Sequence, residues 1–261
     1  MPRTRDTPAA LSVVVPTYNE RDRLPDLVRA VFAAYAEEGL DGELIVVDDN
    51  SPDGTGRLAD ELAADHRITV LHRAGKLGLG TAVIAGFGAA SAPVVGVIDA
   101  DMSHPPQMLP RMLAVLQQYR ADVVVASRYI PGGGTRNWPM TRLVMSRLAC
   151  LLATGLTPVR DATSGLFLIR RDLARDVAIE AGGFKICLEL LVRGRPAAVV
   201  EVPYVFENRT AGESKMNVRE ATGYLEQLRA LHAFRRAGPR GGPSYTRLDA
   251  SQLRHARPDP P

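Results

Sequence analysis

The stretch "VVGVIDADMSHPP" (residues 94–106) ends an apolar, β-branched run in two carboxylates one residue apart, Asp99 and Asp101. A carboxylate is costly to bury unpaired, so a strand that delivers two of them must offer them a cation or leave them in water. Residues two apart in an extended segment point to the same side, which predicts that the pair faces one ligand. Similar endings recur along the chain. "LSVVVP" (11–16) runs into Pro16, Tyr18 and Glu20, and "ELIVVDDNSPDGT" (43–55) contains Asp48 and Asp49. "ITVLH" (68–72) runs into Arg73 and Lys76, and "DVVVAS" (122–127) into Ser127 and Arg128. In an open parallel sheet, ligands bind outside the carboxyl ends of the strands, so these residues would share one edge. Acids, bases and an aromatic on one edge suit a phosphorylated ligand with a divalent metal. Carboxylates hold a hard cation that bridges phosphate oxygens, and Lys and Arg supply the remaining counter-charge. Any one of these aspartates, taken alone, reads equally well as a turn former; it is the set that points to a ligand.

The elements that would position these residues follow from periodicity. A helix is predicted over 22–38, with Asn19 or Asp22 as its cap and Gly39 at its end. Further helices are predicted near 55–64, 79–90 and 106–118, between the strands. Buried strands alternating with helices predict an α/β fold, a mostly parallel central sheet with helices on both faces. After residue 128 the pattern changes. A glycine-rich loop (129–139), a helix (138–155), a strand (164–171) and helical stretches near 172–192 are expected. One or two strands (197–206), a loop (207–215) and a last helix (216–235) follow. That helix would place Val218, Ala221, Leu225, Leu228 and Leu231 on one stripe. Residues 1–10 read as a flexible N-terminus, and 11–235 as one domain whose halves meet near residue 128. The Pro/Gly/Arg-rich residues 236–261 are expected to be disordered.

Composition bounds the function. The chain has 261 residues, 46% of them hydrophobic, enough for a packed core. The net charge is +3, and the basic residues are dispersed rather than striped, which argues against nucleic acid as a partner. Cys150 and Cys187 lie in apolar contexts and read as buried free thiols. The first ten residues lack the apolar core of a signal peptide. The longest uncharged run, 77–98, contains five glycines and Pro93, and reads as a helix followed by a strand rather than a membrane span. "GLGTAVIAG" lacks the third glycine of a dinucleotide fingerprint, and no phosphate-loop motif is present. His104 has no second His or Cys at ligand spacing, which argues against a zinc site. Ser103 and Ser164 lack the G-x-S-x-G elbow of a serine hydrolase.

The segments "VVVPTYNERDRLPDLV", "IVVDDNSPDGTGRLADEL", "GKLGLGTAVIAGF", "DADMSHPP", "ASRYIPGGG", "SRLAC", "DATSG" and "RTAGESKM" follow one another in a familiar order. In that order the chain resembles the polyprenol-phosphate (dolichol-phosphate) mannosyltransferases, inverting family 2 glycosyltransferases of the GT-A (Rossmann-like) fold. The resemblance runs from about residue 11 to 230. It implies transfer of mannose from GDP-mannose to a polyprenyl (dolichyl-type) monophosphate, giving a β-linked mannosyl phosphate. It also implies that Pro16, Tyr18, Glu20, Val47 and Asp49 hold the nucleoside, with Lys76 a weaker candidate. Asp99, Ala100 and Asp101 would be the D-x-D motif that binds Mg²⁺ or Mn²⁺ and the diphosphate. Arg128 would meet the donor phosphates or the acceptor phosphate, and Arg209 and Lys215 would neutralise phosphate charge. Ser214 and Asp161 would serve the acceptor. Asp101, Arg128, Arg209 and Lys215 are thus the expected catalytic set. An anionic lipid phosphate needs charge screening more than a general base, so the absence of an obvious base fits. Two departures stand on the acceptor-facing half: Leu168 replaces an arginine common after "DATSG", and "GFKICLELLVRG" (183–194) differs from the pattern of eukaryotic members. Glu189 in that segment reads equally as a site residue and as a helix-surface carboxylate.

Two other readings remain. One keeps fold and mechanism with another donor, such as UDP-glucose; the other is a non-catalytic nucleotide-sugar-binding subunit. A polyprenyl acceptor lives in a bilayer. The apolar part of helix 138–155 ("LACLLATGL"), with Arg142 and Arg147, and the stripe on the last helix could lie on an anionic membrane surface or pack in the core. The expected location is cytoplasmic, peripheral at the cytoplasmic face of the membrane.

Overall fold

The β-branched runs form strands where their period places them, and the computed structural model describes residues 9–175, 177, 185–208, 218–238 and 242–256. The first half alternates β1 (Leu11–Thr17), α1 (Leu24–Glu37), β2 (Gly42–Asp48), α2 (Thr55–Leu62) and β3 (Ile68–His72). It continues with α3 (Leu79–Ala89), β4 (Val94–Val97), α4 (Met108–Gln118) and β5 (Val123–Ser127). The second half contains β6 (Gly134–Arg136), α5 (Met140–Ala153), β7 (Phe167–Arg170), α6 (Arg171–Arg175) and α7 (Ile186–Arg193). It ends with β8 (Ala198–Pro203), β9 (Val205–Glu207), α8 (Val218–Ala237), β10 (Ser244–Arg247) and α9 (Ala250–His255).

The main sheet has the order β10-β8-β5-β7-β4-β1-β2-β3. Only β7 runs antiparallel, wedged between β4 and β5; the other pairings are parallel. A small second sheet pairs β6 with β9. Period-2 alternation sends Val13, Val15, Leu44 and Val46 to one face, where Leu24 and Leu27 of α1 and Leu109 and Met112 of α4 cover them. Val14, Ile45 and Val47 point to the other face, against Ala82, Val83 and Phe87 of α3. Helices therefore cover both faces, as a largely parallel sheet requires. Both cysteines are buried free thiols, and burial pushes the Cys150 thiol up to about 11.

Three local expectations are corrected. α1 starts at Leu24 behind Arg23, with no side-chain cap and a proline in its first turn, so neither Asn19 nor Asp22 caps it. Asn19 instead turns the chain at φ 60°. The helical stretches expected near 172–192 are the short α6 and the separate α7. On α8, among the described side chains, Leu228 and Leu231 of the predicted stripe are buried, with Tyr224 and Gln227 beside them, whereas Ala221 and Leu225 are exposed; the core-facing stripe is rotated toward Tyr224 and Gln227.

The third correction is the tail, where the described residues of 236–261 are folded. β10 adds to β8 in parallel, with Tyr245 opposite Val199 and Arg247 opposite Glu201. α9 has a full capping box: Asp249 Oδ1 accepts the Ser251 and Gln252 N–H groups at 2.7 and 2.9 Å, and Gln252 Oε1 accepts the Asp249 N–H at 2.9 Å. Leu248 and Leu253 are buried in the same core as α1 and α4. Composition argued for disorder, but two buried leucines and a satisfied helix start outweigh it. Leu253→Ala is therefore expected to cost about 2 kcal/mol or more of global stability in urea unfolding, the range for a buried leucine; a solvated tail would give no change.

Candidate active site

β4 ends at Val97, and Ile98 still donates its N–H to Val14 O at 3.1 Å. Ala100 and Asp101 then lie in a turn rather than in an extended strand. The two aspartates thus share a site through that turn and not through strand alternation. Met102 takes the left-handed conformation, φ 62°, which an L side chain adopts at some cost. The turn brings the Ser103 N–H to Asp101 Oδ1 at 2.9 Å, which fixes the carboxylate. Asp101 and Ala100 are buried, while the Asp99 side chain is 36% exposed.

His104 is held between aromatic rings, stacked on Tyr204 (centroids 5.5 Å apart) and edge-on to Phe206 (5.2 Å). Its Nε2 lies 3.2 Å from Asp99 Oδ2. An ionised carboxylate only accepts, so Nε2 carries the proton in this contact. A side chain at Gly165 would put its Cβ 2.9 Å from Asp99 Oδ2 and 3.1 Å from His104 Nε2. The glycine of "DATSG" is what lets this backbone come so close. Sequence reasoning found no role for His104, because its partners Tyr204 and Phe206 arrive from far along the chain.

Asp99, Asp101 and His104 line a cavity together with Arg128, Arg142 and Lys185. Arg128 is nearly buried, and its Nε and Nη2 grip Asp161 at 2.7 and 2.6 Å. Nη2 also reaches Thr163 Oγ1 at 3.3 Å. Burial pulls the guanidinium pKa down, but the charge and hydrogen bonds of Asp161 push it further up, so Arg128 stays charged. Arg142, on α5, lies over the Trp138 ring at 4.2 Å and donates to Asn208 Oδ1 at 2.8 Å. β6 and β9 carry the flanks of this wall: Trp138 follows β6, and Phe206 is in β9. Arg142 and Lys185 were missed as site residues. An arginine one turn into an apolar helix signals only a surface charge in sequence, and its aim depends on Trp138.

The other predicted residues gather on the same edge but along β1, β2 and β3. Asp49 pairs with Arg73 at 2.7 Å and accepts the Gly78 N–H at 3.2 Å, which ties β2 to the start of α3. Lys76 Nζ sits 3.9 Å above the Tyr18 ring. Glu20 donates its N–H to Thr55 Oγ1 at 3.0 Å, and Pro16 is half-buried in β1. The Val47 side chain is fully buried in the core, and its carbonyl accepts from Thr17 Oγ1 at 3.3 Å. Asp161 is fully buried with both oxygens on Arg128, so its reach to an acceptor runs through that arginine. Leu168 lies in the buried centre of β7, away from the cavity lining. Glu189 is buried at the α7–α8 contact, paired with Arg193 at 2.6 Å and with Gln227 at 3.1 Å. It is neither on a helix surface nor at the cavity. Arg209, Ser214 and Lys215 lie outside the described residues.

The donor set fits a hard divalent cation. Asp99 and Asp101 offer carboxylate oxygens to one cavity, and Ser103 Oγ is buried with no hydrogen-bond partner among the described residues. Among those residues no group of three or more His, Cys, Asp or Glu converges. The protein would therefore fill only part of the ion's shell and leave positions for phosphate oxygens and water.

Residues 12–178 match the profile of the Glycosyl transferase family 2. The chain belongs to that family, and its sheet and helices form a GT-A-like fold. Curated relatives narrow the comparison. The chain is 42% identical over 227 residues to the polyprenol monophosphomannose synthase of Mycolicibacterium smegmatis, covering 80% of this chain and 83% of that one. It is 36% identical to the dolichol-phosphate mannosyltransferase of Saccharomyces cerevisiae, covering 86% and 87%. It is 38% identical to that of Pyrococcus furiosus over 85% of this chain, but spans only 63% of the Pyrococcus protein. Among solved structures, a Pyrobaculum calidifontis mannosyltransferase in complex with GDP-Man and Mn²⁺ superposes with a TM-score of 0.63 at 20% identity, covering 90% of this chain and 67% of that one.

His104→Phe keeps a ring between Tyr204 and Phe206 but removes the proton shared with Asp99. It is expected to weaken Mn²⁺ binding in the presence of GDP about tenfold, the usual scale for a residue that orients a metal ligand. Electron paramagnetic resonance of free Mn²⁺ reads this directly; unchanged affinity would show that Asp99 needs no such partner.

Proposed function

We propose that this protein transfers mannose from GDP-mannose to a polyprenyl monophosphate at a membrane surface, with inversion at the anomeric carbon. The observation that carries the reading is α5. One helix brings Arg142 to the cavity lined by Asp99 and Asp101 and leaves Met140, Val144, Met145, Leu148, Leu151 and Leu152 exposed. A phosphate on an apolar tail needs that combination: a cation at the site and an apolar surface beside it. The names of the Mycolicibacterium, Saccharomyces and Pyrococcus relatives support the same substrates.

In this reading the residues at the ends of β1 to β3, Pro16, Tyr18, Glu20, Val47, Asp49 and Lys76, bind the nucleoside. Asp99 and Asp101 hold Mg²⁺ or Mn²⁺, which when bound neutralises the diphosphate and stabilises the departing GDP. Arg128 and Arg142 hold the acceptor phosphate as fixed cations and aim one of its oxygens at the anomeric carbon. Arg209 and Lys215 add counter-charge, and Ser214 a hydroxyl. The acceptor is already anionic, so no side chain has to remove a proton. Arg128 remains charged throughout, as a guanidinium does, and Asp161 holds it in place. No helix among the described residues is long and apolar enough to cross a membrane. The exposed apolar side chains of α5 assign attachment to that face, with Leu225 of α8 also exposed.

Asp101→Ala is expected to abolish transfer, a loss of at least about a hundredfold, with the melting temperature unchanged. The assay supplies Mn²⁺, a short polyprenyl phosphate and a panel of labelled sugar nucleotides. Transfer from a UDP-sugar alone would replace the mannose assignment, and transfer from none would favour a binding subunit. The double variant Val144→Glu/Leu151→Glu is expected to stay in the supernatant when sedimented with anionic vesicles that pull down the parent protein. Equal recovery of both proteins in the supernatant would rule out attachment through α5.

A further inference from the structure

The reaction just described makes no use of Glu201, yet this carboxylate is fully buried beneath the site. Glu201 lies on β8, next to β5 in the sheet. Its Oε1 accepts the Asp161 N–H at 2.9 Å and its Oε2 accepts the Arg160 N–H at 3.0 Å. The Ser127 hydroxyl bonds to it as well. The Tyr245 hydroxyl completes the set by donating to Oε2. The tyrosine comes from β10, the tail strand that pairs with β8. Asp161, the residue whose N–H Glu201 holds, commits both its oxygens to Arg128 and also accepts the Arg128 N–H at 2.9 Å. An unbroken chain of hydrogen bonds, part-buried at Tyr245 and buried from Glu201 onward, thus runs from Tyr245 through Glu201 and Asp161 to Arg128. It leaves Nη1 as the guanidinium nitrogen that neither Asp161 nor Thr163 engages.

We propose that Tyr245 and Glu201 are positioning residues for Arg128, and that the C-terminal strand is therefore part of the active-site framework. The inference rests on the reading of Arg128 as a ligand of the acceptor phosphate. A carboxylate is the one side chain that suits this place, since four donors converge on two acceptor oxygens. A glutamine would turn an N–H₂ group toward one of them. Removing the phenol hydroxyl takes away a charge-assisted bond. A buried carboxylate so deprived shifts or takes up a proton, and either response loosens the Asp161 N–H that it holds. A displaced Asp161 turns the guanidinium it grips. Small errors in the placement of a group that aims the reactant are costly to rate.

The test compares the full-length protein with Tyr245→Phe and Glu201→Gln. The Arg128 Nε–H, shielded by Asp161, is followed by ¹H–¹⁵N spectroscopy, and its exchange with solvent is timed. Transfer from GDP-mannose to a short polyprenyl phosphate gives KM for the acceptor, and calorimetry gives the affinity for GDP with Mn²⁺. Tyr245→Phe is expected to hasten the Nε–H exchange and to raise the acceptor KM about tenfold, while GDP affinity stays the same. Glu201→Gln is expected to do both to a greater degree. If Nε–H exchange is unchanged in both variants, the inference is overturned, even if their melting temperatures fall. Faster exchange with an unchanged acceptor KM overturns it too, because the relay would then end in structure alone. If the parent protein transfers nothing, the functional reading fails on its own account; faster exchange in the variants would still establish the link to Arg128.

Discussion

A guanidinium buried as deeply as Arg128 keeps its charge and so needs a carboxylate to offset the water it has lost, and Asp161 fills that place with both of its oxygens. Much of the second half of the molecule is arranged around this pair. β7 enters the sheet just after the loop that carries Asp161, β8 supplies the glutamate that fixes that loop, and β10 holds the glutamate. Breaking such a pair leaves an uncompensated buried charge, so the pair is costly to disturb. That rigidity is what a phosphate ligand needs from an arginine. In the proposed reaction the guanidinium would meet the acceptor phosphate without reorganising, because its orientation is settled when the chain folds.

The aspartate pair is positioned by different means. Asp101 is oriented by the backbone of its own turn, and Asp99 by His104, a ring clamped between two aromatic neighbours. The loops after β1, β2 and β4 each carry a residue in the left-handed region, Asn19, Asn50 and Met102. Three such turns at one edge let strands of limited length end abruptly and set polar side chains there. The GT-A-like sheet accordingly presents polar groups at the ends of β1 to β3 and the carboxylates at β4, with the arginines beyond β5.

The first half of the fold was legible because its signals are local. Strand runs such as "LSVVVP" and "ELIVVD" and the helices between them follow from period and length, and their parallel order follows from alternation. The second half was legible only in part. "SGLFLIRR" reads as a strand, but no local signal shows that β7 inserts antiparallel between two earlier strands. The tail was misread because its prolines, glycines and arginines outweighed a capping signature, Asp249 followed by Gln252, that was present in the sequence. At the site, Asp99, Asp101 and Arg128 could be found from their strand ends. His104, Arg142 and Lys185 could not, since each takes its aim from residues distant in sequence. The burial of Asp161 under Arg128 was equally invisible, because spacing does not show which of two charged residues lines the cavity and which only holds its partner.

β10 has one more effect. Without it, β8, with the sequence Ala-Val-Val-Glu-Val-Pro, would be the rim of the sheet, a row of unpaired backbone groups flanked by valines. A rim of that kind is a template on which strands from other molecules can add. β10 replaces it with Ser-Tyr-Thr-Arg, largely exposed and polar, and only four residues long. The short tail strand thus acts as a border against self-association, turning an adhesive margin into one that water can wet.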